Sequence, residues 1–191
     1  IKIRVLFFME LIKQNTQSQI IKSLIVIFIG SIILTLSAKV KIPFYPVPMT
    51  MQTFVVLFLG IGFGYKIAFS TITLYLLEGI LGLPVFSNSP ERGIGIAYFT
   101  GPTMGYLIGF IFAGCLASFV KTNDNFLIIF IKLIFAVSTI YILGVLWLGS
   151  IIGWDKDIIQ LGVKPFLLAE LFKIALLTIL TKHIFKLRKF I

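Results

Sequence analysis

Residues 79–110 have the sequence Gly-Ile-Leu-Gly-Leu-Pro-Val-Phe-Ser-Asn-Ser-Pro-Glu-Arg-Gly-Ile-Gly-Ile-Ala-Tyr-Phe-Thr-Gly-Pro-Thr-Met-Gly-Tyr-Leu-Ile-Gly-Phe. Two apolar helical flanks are joined here by a loop rich in glycine, proline, serine and asparagine. The prolines end or begin helices, because proline lacks an N–H and has a fixed φ. Small residues then recur at every fourth position, at 101, 105, 109, 113 and 117. This spacing predicts a helix with one narrow face, along which another helix or a ligand comes close to the backbone.

The composition predicts an integral membrane protein with a single domain over residues 1–191. Hydrophobic residues make up 59% of the chain, against about 45–50% in soluble domains, and the mean hydropathy is +1.08. The net charge of +10 would suggest nucleic acid as the partner of a soluble protein. In a membrane protein, the same lysines and arginines set the topology and contact anionic lipid, so no nucleic-acid partner is expected.

The apolar runs predict an all-α bundle of six transmembrane helices. The predicted spans are Ile20–Ala38, Thr50–Gly64, Tyr65–Leu83, Gly101–Val120, Phe126–Gly149 and Pro165–Ile184. Residues 1–19 are interpreted as an arm at the membrane interface, or a partly disordered one, and residues 185–191 as a basic cytoplasmic tail.

Six spans place both termini on one side of the membrane. With the termini in the cytoplasm, the inner segments hold more lysine and arginine than the outer loops, and this favours that orientation. All prolines then lie on or beside the outer loops, at positions 43, 46, 48, 84, 90, 102 and 165. A stiff, irregular outer face is typical of a ligand entrance, because irregular backbone at membrane depth is tolerated where it lines a cavity.

Glu170 and Lys173 are the strongest candidates for a functional site. They lie three residues apart in the sixth span, hence on one helical face. Ionisable residues inside a span are costly and mark a functional site by default. The alternative is a structural ion pair near the helix end, with Lys173 extending towards the surface.

Arg92 lies in the central outer loop and can bind a carboxylate through two parallel N–H donors. The alternative is a solvated charge paired with Glu91. Neutral hydrogen bonds and stacking faces can come from residues that otherwise serve as packing: Tyr45, Tyr75, Asn88, Tyr98 and Tyr106. His183 has no second ligand at metal-binding spacing, so no metal site is expected. The residues alone thus predict an outward-opening pocket for a small, partly apolar anion.

The motifs resemble those of the BioY family, the biotin-specific substrate-binding (S) components of energy-coupling-factor (ECF) transporters. The resemblance covers about residues 31–173 and rests on these strings: Ile42-Pro43; Val47-Pro48-Met49-Thr50-Met51-Gln52-Thr53; Leu74-Tyr75 running to Gly79; Gly82-Leu83-Pro84-Val85-Phe86; Gly101-Pro102-Thr103-Met104-Gly105-Tyr106-Leu107-Ile108-Gly109-Phe110; and Pro165-Phe166 followed by Glu170 and Lys173. The sixth span departs from the family pattern, because Ala169 and Glu170 replace the usual glycine and aspartate. Met104 stands where a glycine is common.

The resemblance implies biotin uptake across a bacterial cytoplasmic membrane, with biotin bound in an outward-facing pocket. Glu170 would accept from the ureido N–H groups and Lys173 would donate to the ureido oxygen. Asn88 or Arg92 would complete the polar set, and the rings would be enclosed by Tyr45, Tyr75, Phe86, Tyr98 and Tyr106. The implied partners are a transmembrane coupling subunit and two cytoplasmic ATPases, which alone would use ATP, so no cofactor is expected in this chain.

Ser31 and Thr35 lie where S components often carry an alanine pair four residues apart, and are the expected docking residues for the coupling subunit. Another vitamin S component, or a stand-alone carrier, would have the same fold. An intramembrane enzyme with Glu170 as general base is the alternative from another class, but it lacks a nucleophile, a metal cluster and a second carboxylate. A structural membrane subunit is the third alternative, and the buried charges argue against it.

Overall fold

The computed structural model describes residues 2–42 and 45–190, with side chains from Thr16 onward. The helices, in chain order, are α1 (Lys2–Lys39), α2 (Gln52–Ile80), α3 (Ile96–Phe99), α4 (Met104–Ala117), α5 (Phe126–Ile152), α6 (Ile158–Gly162) and α7 (Leu167–Ile184), with 3-10 helices at Lys164–Phe166 and Phe185–Lys189. Two short strands, β1 (Lys41–Ile42) and β2 (Met49–Thr50), pair antiparallel with Lys41 opposite Thr50. The protein is therefore a helical bundle, as predicted.

The helix α2 contains two of the predicted spans, because the chain reverses at Gly64. This glycine has a φ of 81° and a ψ of 174°, which end the helical hydrogen bonding locally. The Nε2 atom of Gln52 lies 2.8 Å from the hydroxyl oxygen of Tyr75, whereas a straight helix would separate these residues by about 35 Å. The two arms of α2 are thus antiparallel, which confirms the predicted second and third spans.

Six helical segments now correspond to the six predicted spans: α1, the two arms of α2, α4, α5 and α7. By length and composition, three helices of the described chain suffice to cross a membrane, namely 16–39 of α1, α2 as a whole, and α5. The helix α4 has only 14 residues. The 18 residues of α7 include charged side chains.

The first helix begins earlier in the chain than the sequence predicted. The backbone of α1 is one helix from Lys2 to Lys39, so residues 2–19 continue the first span and do not form a separate element. The side chains of residues 1–15, and with them the predicted interfacial position of the arm, lie outside the described residues. Pro43, in the first outer loop, also lies outside the described residues.

The small-residue face of α4 is confirmed as a packing surface. A Cβ atom added to Gly105 would lie 2.3 Å from the carbonyl oxygen of Leu143, and one added to Gly109 would lie 2.6 Å from the Cα of Ile140. Both distances are far below ordinary contact, so α4 packs directly on the backbone of α5. On the other side, a Cβ atom at Gly60 would lie 2.2 Å from the carbonyl oxygen of Gly114. The helix α4 is therefore packed directly against the backbone of α5 on one side and of the first arm of α2 on the other.

The C-terminal segment is folded onto the inner ends of two helices. Arg188 donates from Nε to the carbonyl oxygen of Ile61 at 2.9 Å. Its Nη2 atom donates to the carbonyl oxygens of Gly60 at 3.4 Å and Ser118 at 2.9 Å. These carbonyls belong to the last turns of the first arm of α2 and of α4, where helices leave C=O groups unpaired and attract cations. The predicted basic tail thus caps the bundle through one arginine.

Replacing Arg188 by alanine is expected to destabilise the bundle, because three carbonyl groups lose a charged donor. Hydrogen bonds to charged groups contribute about 1.5–3 kcal/mol each, and partial replacement by water limits the total to about that range. Thermal unfolding in detergent, followed by intrinsic fluorescence, measures the effect. Lys189→Ala is the matched control, since Lys189 is exposed; an equal loss in both variants would contradict the capping role.

Candidate functional site

A cavity lies beneath the outer loops and encloses about 530 Å³ of empty space, including its opening to solvent. It is bounded by the segment after β1, the first turn of α2, the first half of α4, the middle of α5, the start of α7 and the central loop. The lining residues are Val47, Pro48, Met49, Thr50, Gln52, Thr53, Ser87, Tyr98, Thr103, Tyr106, Leu107, Phe110, Ile140, Tyr141, Phe166 and Glu170.

The Glu170 carboxylate is the charged group of this cavity. Its Oε1 atom accepts from the Nζ of Lys173 at 2.7 Å and from the Oγ1 of Thr53 at 3.2 Å. The Lys173 ammonium also donates to the carbonyl oxygen of Thr50 at 2.7 Å. Glu170 is 5% exposed and Lys173 is 4% exposed, so the pair is buried. Burial of two charges requires this kind of mutual pairing and supporting hydrogen bonds.

The second oxygen of Glu170 is left without a partner. Oε2 is buried and has no hydrogen-bond partner within 3.5 Å among the described residues, while the hydroxyl of Tyr141 lies close enough to interact with the carboxylate. A buried acceptor without a donor costs about 1–3 kcal/mol, and more when it is charged. The carboxylate is thus fixed on one side by Lys173 and Thr53, and is available on the other side to a donor in the cavity.

Aromatic rings form the apolar walls. The hydroxyl of Tyr106 donates to the carbonyl oxygen of Gly162 at 2.9 Å, which fixes the ring between α4 and α6. Tyr141 meets Tyr106 edge to face, with centroids 6.1 Å apart, and lies within electrostatic reach of Glu170. Phe166 packs at 6.4 Å from Tyr141. These rings offer flat surfaces to an apolar ligand next to a carboxylate.

Tyr75 and Phe86 are buried behind the cavity wall and do not line it. Tyr75 donates to the carbonyl oxygen of Val85 at 3.2 Å and accepts from Gln52. The ring of Phe86 packs on Tyr75 at 5.3 Å and covers Gly79, where a Cβ atom would lie 2.0 Å from Phe86. Tyr75 and Phe86, which were predicted to contact the ligand, therefore pack behind the central loop and support it.

The central loop over the cavity, residues 86–89, is called the roof here. Lys39, at the end of α1, donates from Nζ to the carbonyl oxygens of Phe86 at 2.9 Å and Ser89 at 3.0 Å. The hydroxyl of Tyr98 donates to the carbonyl oxygen of Ser87. Burial raises the pKa of Tyr98, so this hydroxyl keeps its proton. The roof backbone is thus fixed by three hydrogen bonds from two side chains.

Asn88, Arg92 and Tyr45 lie outside the cavity lining. Asn88 has a φ of 59°, and its Oδ1 accepts from the Nζ of Lys41. Arg92 donates to the carbonyl oxygen of Pro46 at 2.7 Å and lies 6.0 Å from the ring centroid of Tyr45. Arg92 and Tyr45 line a second, outer pocket that shares Tyr98 and Thr103 with the cavity. The arginine is therefore at the entrance.

The structure brings together some of the predicted ligand contacts and separates others. Glu170, Tyr98 and Tyr106 line the cavity, and Lys173 lies directly behind Glu170. Thr53, Ser87 and Tyr141 also line the cavity and were not among the contacts expected from the sequence. Two of these residues could have been selected from the sequence. Thr53 ends the Val-Pro-Met-Thr-Met-Gln-Thr string, and Tyr141 is a polar residue in the middle of an apolar span. No sequence feature distinguishes Ser87.

The two expected docking residues differ in accessibility. Ser31 is 1% exposed and its hydroxyl donates to the Oε2 of Glu78 on α2, so it faces inward. Thr35 is half-buried and donates to the carbonyl oxygen of Ser31 at 3.1 Å. A partner that approaches α1 would therefore reach Thr35 and the exposed apolar side chains of this helix before Ser31.

The sequence profile of the BioY family matches residues 11–190. The chain is 33% identical over 162 residues to a probable biotin transporter BioY of Pyrococcus horikoshii, which is 85% of this chain and 94% of that protein. It is 30% identical over 184 residues to a probable biotin transporter BioY of Rickettsia prowazekii, covering 95% and 91%. The biotin transporter BioY2 of Lactococcus lactis is 34% identical over 169 residues, covering 87% and 90%.

The fold also matches a solved structure. The crystal structure of the S-component for biotin from an ECF-type ABC transporter superposes with a TM-score of 0.74 and 24% sequence identity, covering 90% of this chain and 93% of that chain. Both the fold and the sequence matches are those of a multi-pass membrane transport component, not of an enzyme. The chain belongs to the BioY family.

Proposed function

We propose that this chain binds biotin from outside the cell and serves as the substrate-binding component of an ECF-type transporter. The observation that carries the proposal is the half-paired carboxylate of Glu170 in an aromatic cavity beneath the outer loops. The relatives named above, which are biotin transporters by description, support biotin as the ligand.

Biotin carries N–H donors and an apolar ring system, which complement the unpaired acceptor and the aromatic walls of this cavity. Its ureido ring offers N–H donors to the unpaired Oε2 of Glu170, and its apolar bicycle matches the aromatic walls that Tyr106, Tyr141 and Phe166 form. The valerate tail ends in a carboxylate, which suits the guanidinium of Arg92 at the entrance, a few ångströms from Tyr45. The ligand would thus lie with its ring inside and its tail towards the entrance.

The contacts suggest a supporting role for Lys173. Two of its three donors are taken by Glu170 and by the carbonyl oxygen of Thr50, and Lys173 does not line the cavity. It orients the Glu170 carboxylate, so that Oε2 accepts from the ligand. Asn88, Tyr75 and Phe86 hold the loop in place by the contacts described above.

The proposal includes partners and an energy source. Residues 1–191 form one transmembrane domain with cytoplasmic termini, and a coupling subunit with two cytoplasmic ATPases supplies ATP hydrolysis, so this chain needs no cofactor. The exposed apolar face of α1 around Thr35 supports a docking surface for the coupling subunit. If co-expressed coupling subunit and ATPases do not co-purify with the chain, this part of the proposal fails.

The test is isothermal titration of the purified protein in detergent with biotin, and with thiamine and riboflavin as competitors. Saturable binding of biotin without ATP, undisturbed by a tenfold excess of either competitor, is expected. Displacement of biotin by thiamine or riboflavin would assign the cavity to another vitamin, and a folded sample that binds none of the three would overturn the proposal.

A further inference from the structure

Ser87 contributes the second unpaired polar atom of the cavity. Its side chain is 4% exposed and lines the cavity from the roof. The Oγ atom is buried and has no hydrogen-bond partner among the described residues. A buried hydroxyl without a partner is uncommon, and each such group requires an explanation such as a ligand or an ordered water.

The position of this hydroxyl is fixed by the roof and not by its own bonding. The carbonyl oxygen of Ser87 accepts from Tyr98, and Lys39 holds the carbonyl oxygens of the residues at positions 86 and 89. The backbone on both sides of Ser87 is therefore tied to α1 and α3. A ligand that bonds to Oγ would meet a group that is already ordered, which lowers the entropy cost of binding.

Three other polar side chains of the lining have partners within the protein. Gln52 bonds to Tyr75 and Thr50, Thr53 to Glu170, and Tyr106 to Gly162. Among the described residues, the buried side-chain atoms without a partner are Thr71 Oγ1, Thr73 Oγ1, Ser87 Oγ and Glu170 Oε2. The last two line the cavity, whereas the two threonines do not.

We propose that Ser87 Oγ accepts one of the two ureido N–H groups of the ligand while Glu170 Oε2 accepts the other. This inference rests on the proposed function, because it takes biotin as the ligand. The two N–H bonds of a cyclic urea diverge from the ring, so a single oxygen cannot accept both in good geometry. Since Glu170 Oε1 already accepts from Lys173 and Thr53, one oxygen of Glu170 is free, and the second N–H needs another acceptor. Ser87 thereby distinguishes a ring with two N–H groups from a ring with one.

The experiment is titration of biotin into the wild type, Ser87→Ala and Ser87→Cys. The alanine variant is expected to bind about tenfold more weakly, the effect of one hydrogen bond, and the cysteine variant is expected to lie between, since a thiol is a weaker partner of similar size. Thr71→Val is the matched control. It removes a buried, unpaired hydroxyl away from the cavity and is expected to leave biotin affinity unchanged.

A second arm uses two biotins, each methylated at one ureido nitrogen. Both are expected to bind the wild type more weakly than biotin does. The Ser87→Ala variant is expected to bind one of the two analogues almost as tightly as it binds biotin. That analogue lacks the N–H group whose acceptor the substitution has removed. Equal penalties for both analogues in the wild type and in the alanine variant would overturn the role of Ser87.

The outcomes separate this inference from the proposed function. If the wild type does not bind biotin, the proposed function fails and the inference fails with it. If the wild type binds biotin and Ser87→Ala binds it equally well, the inference alone is wrong. An equal loss of affinity in Thr71→Val would also overturn it, because the effect would then not be specific to the cavity.

Discussion

Glu170→Gln is expected to lose biotin binding by at least about 100-fold and to lower the free energy of unfolding by about 3–5 kcal/mol. The amide keeps the shape of the side chain but leaves the Lys173 ammonium buried without its counter-charge, and this is the costly half of breaking a buried ion pair. The ligand also loses a charge-assisted acceptor. Titration calorimetry measures the first effect and thermal unfolding of the ligand-free protein measures the second.

The pair itself is tested by a double-mutant cycle. Lys173→Met, which keeps an unbranched side chain as far as the Cε atom, is expected to destabilise the protein by a similar amount, because Glu170 is then buried alone. The combination Glu170→Gln with Lys173→Met is expected to be more stable than the sum of the single losses predicts. Lys164→Met is the control, since Lys164 is exposed. Additive losses would show that the two charges do not stabilise each other.

Gly105→Leu is expected to prevent the close packing of α4 on α5 and to abolish the folded state in detergent. Even a Cβ atom at this position would lie 2.3 Å from the Leu143 carbonyl oxygen and 2.5 Å from the Trp147 Cβ, and backbone atoms cannot move aside as side chains do. Overpacking of this kind costs about 1–3 kcal/mol for modest insertions, and a whole leucine side chain between two helix backbones exceeds that range.

Size-exclusion chromatography and thermal unfolding measure the outcome of Gly105→Leu. Gly101→Ala is the control from the same series of small residues. It lies before α4, and the nearest atom to its added Cβ would be the Tyr98 carbonyl oxygen at 3.1 Å, so a small effect is expected. A Gly105→Leu protein that is monodisperse and unfolds near the wild-type temperature would contradict the close contact of α4 and α5.

The sequence was sufficient for the features that depend on spacing. Apolar runs located six helical segments, the four-residue spacing of glycines located the contact of α4 with α5, and the three-residue spacing of Glu170 and Lys173 placed them on one face. These features are local, because helical geometry alone converts the distance along the chain into a position in space.

The features that could not be predicted from the sequence depend on contacts between segments that are distant along the chain. Ser87 and Tyr141 line the cavity only because the roof folds over the middle of α5, and neither residue has a spacing that marks it. Ser31 was expected to face a partner, yet its hydroxyl bonds to Glu78 across 47 positions of the chain. Tyr75 and Phe86 were expected in the cavity, whereas they pack behind it. The sequence shows which residues are aromatic, but it does not determine which face of the element carries each ring.

The unequal lengths of the helices determine how deep the cavity lies. The first arm of α2 and the helix α4 span about 18 and 21 Å, while α5 spans about 40 Å, more than the hydrocarbon core of about 30 Å. The cavity is bounded by the first turn of α2, the first half of α4 and the middle of α5, so it lies beside the ends of the two short helices and partway along the long one. One additional turn at the start of α4 would lengthen that helix by about 5.4 Å and fill part of this space. The number of residues in the two short helices thus limits the room for a ligand beneath the outer loops, independently of the groups that bind it.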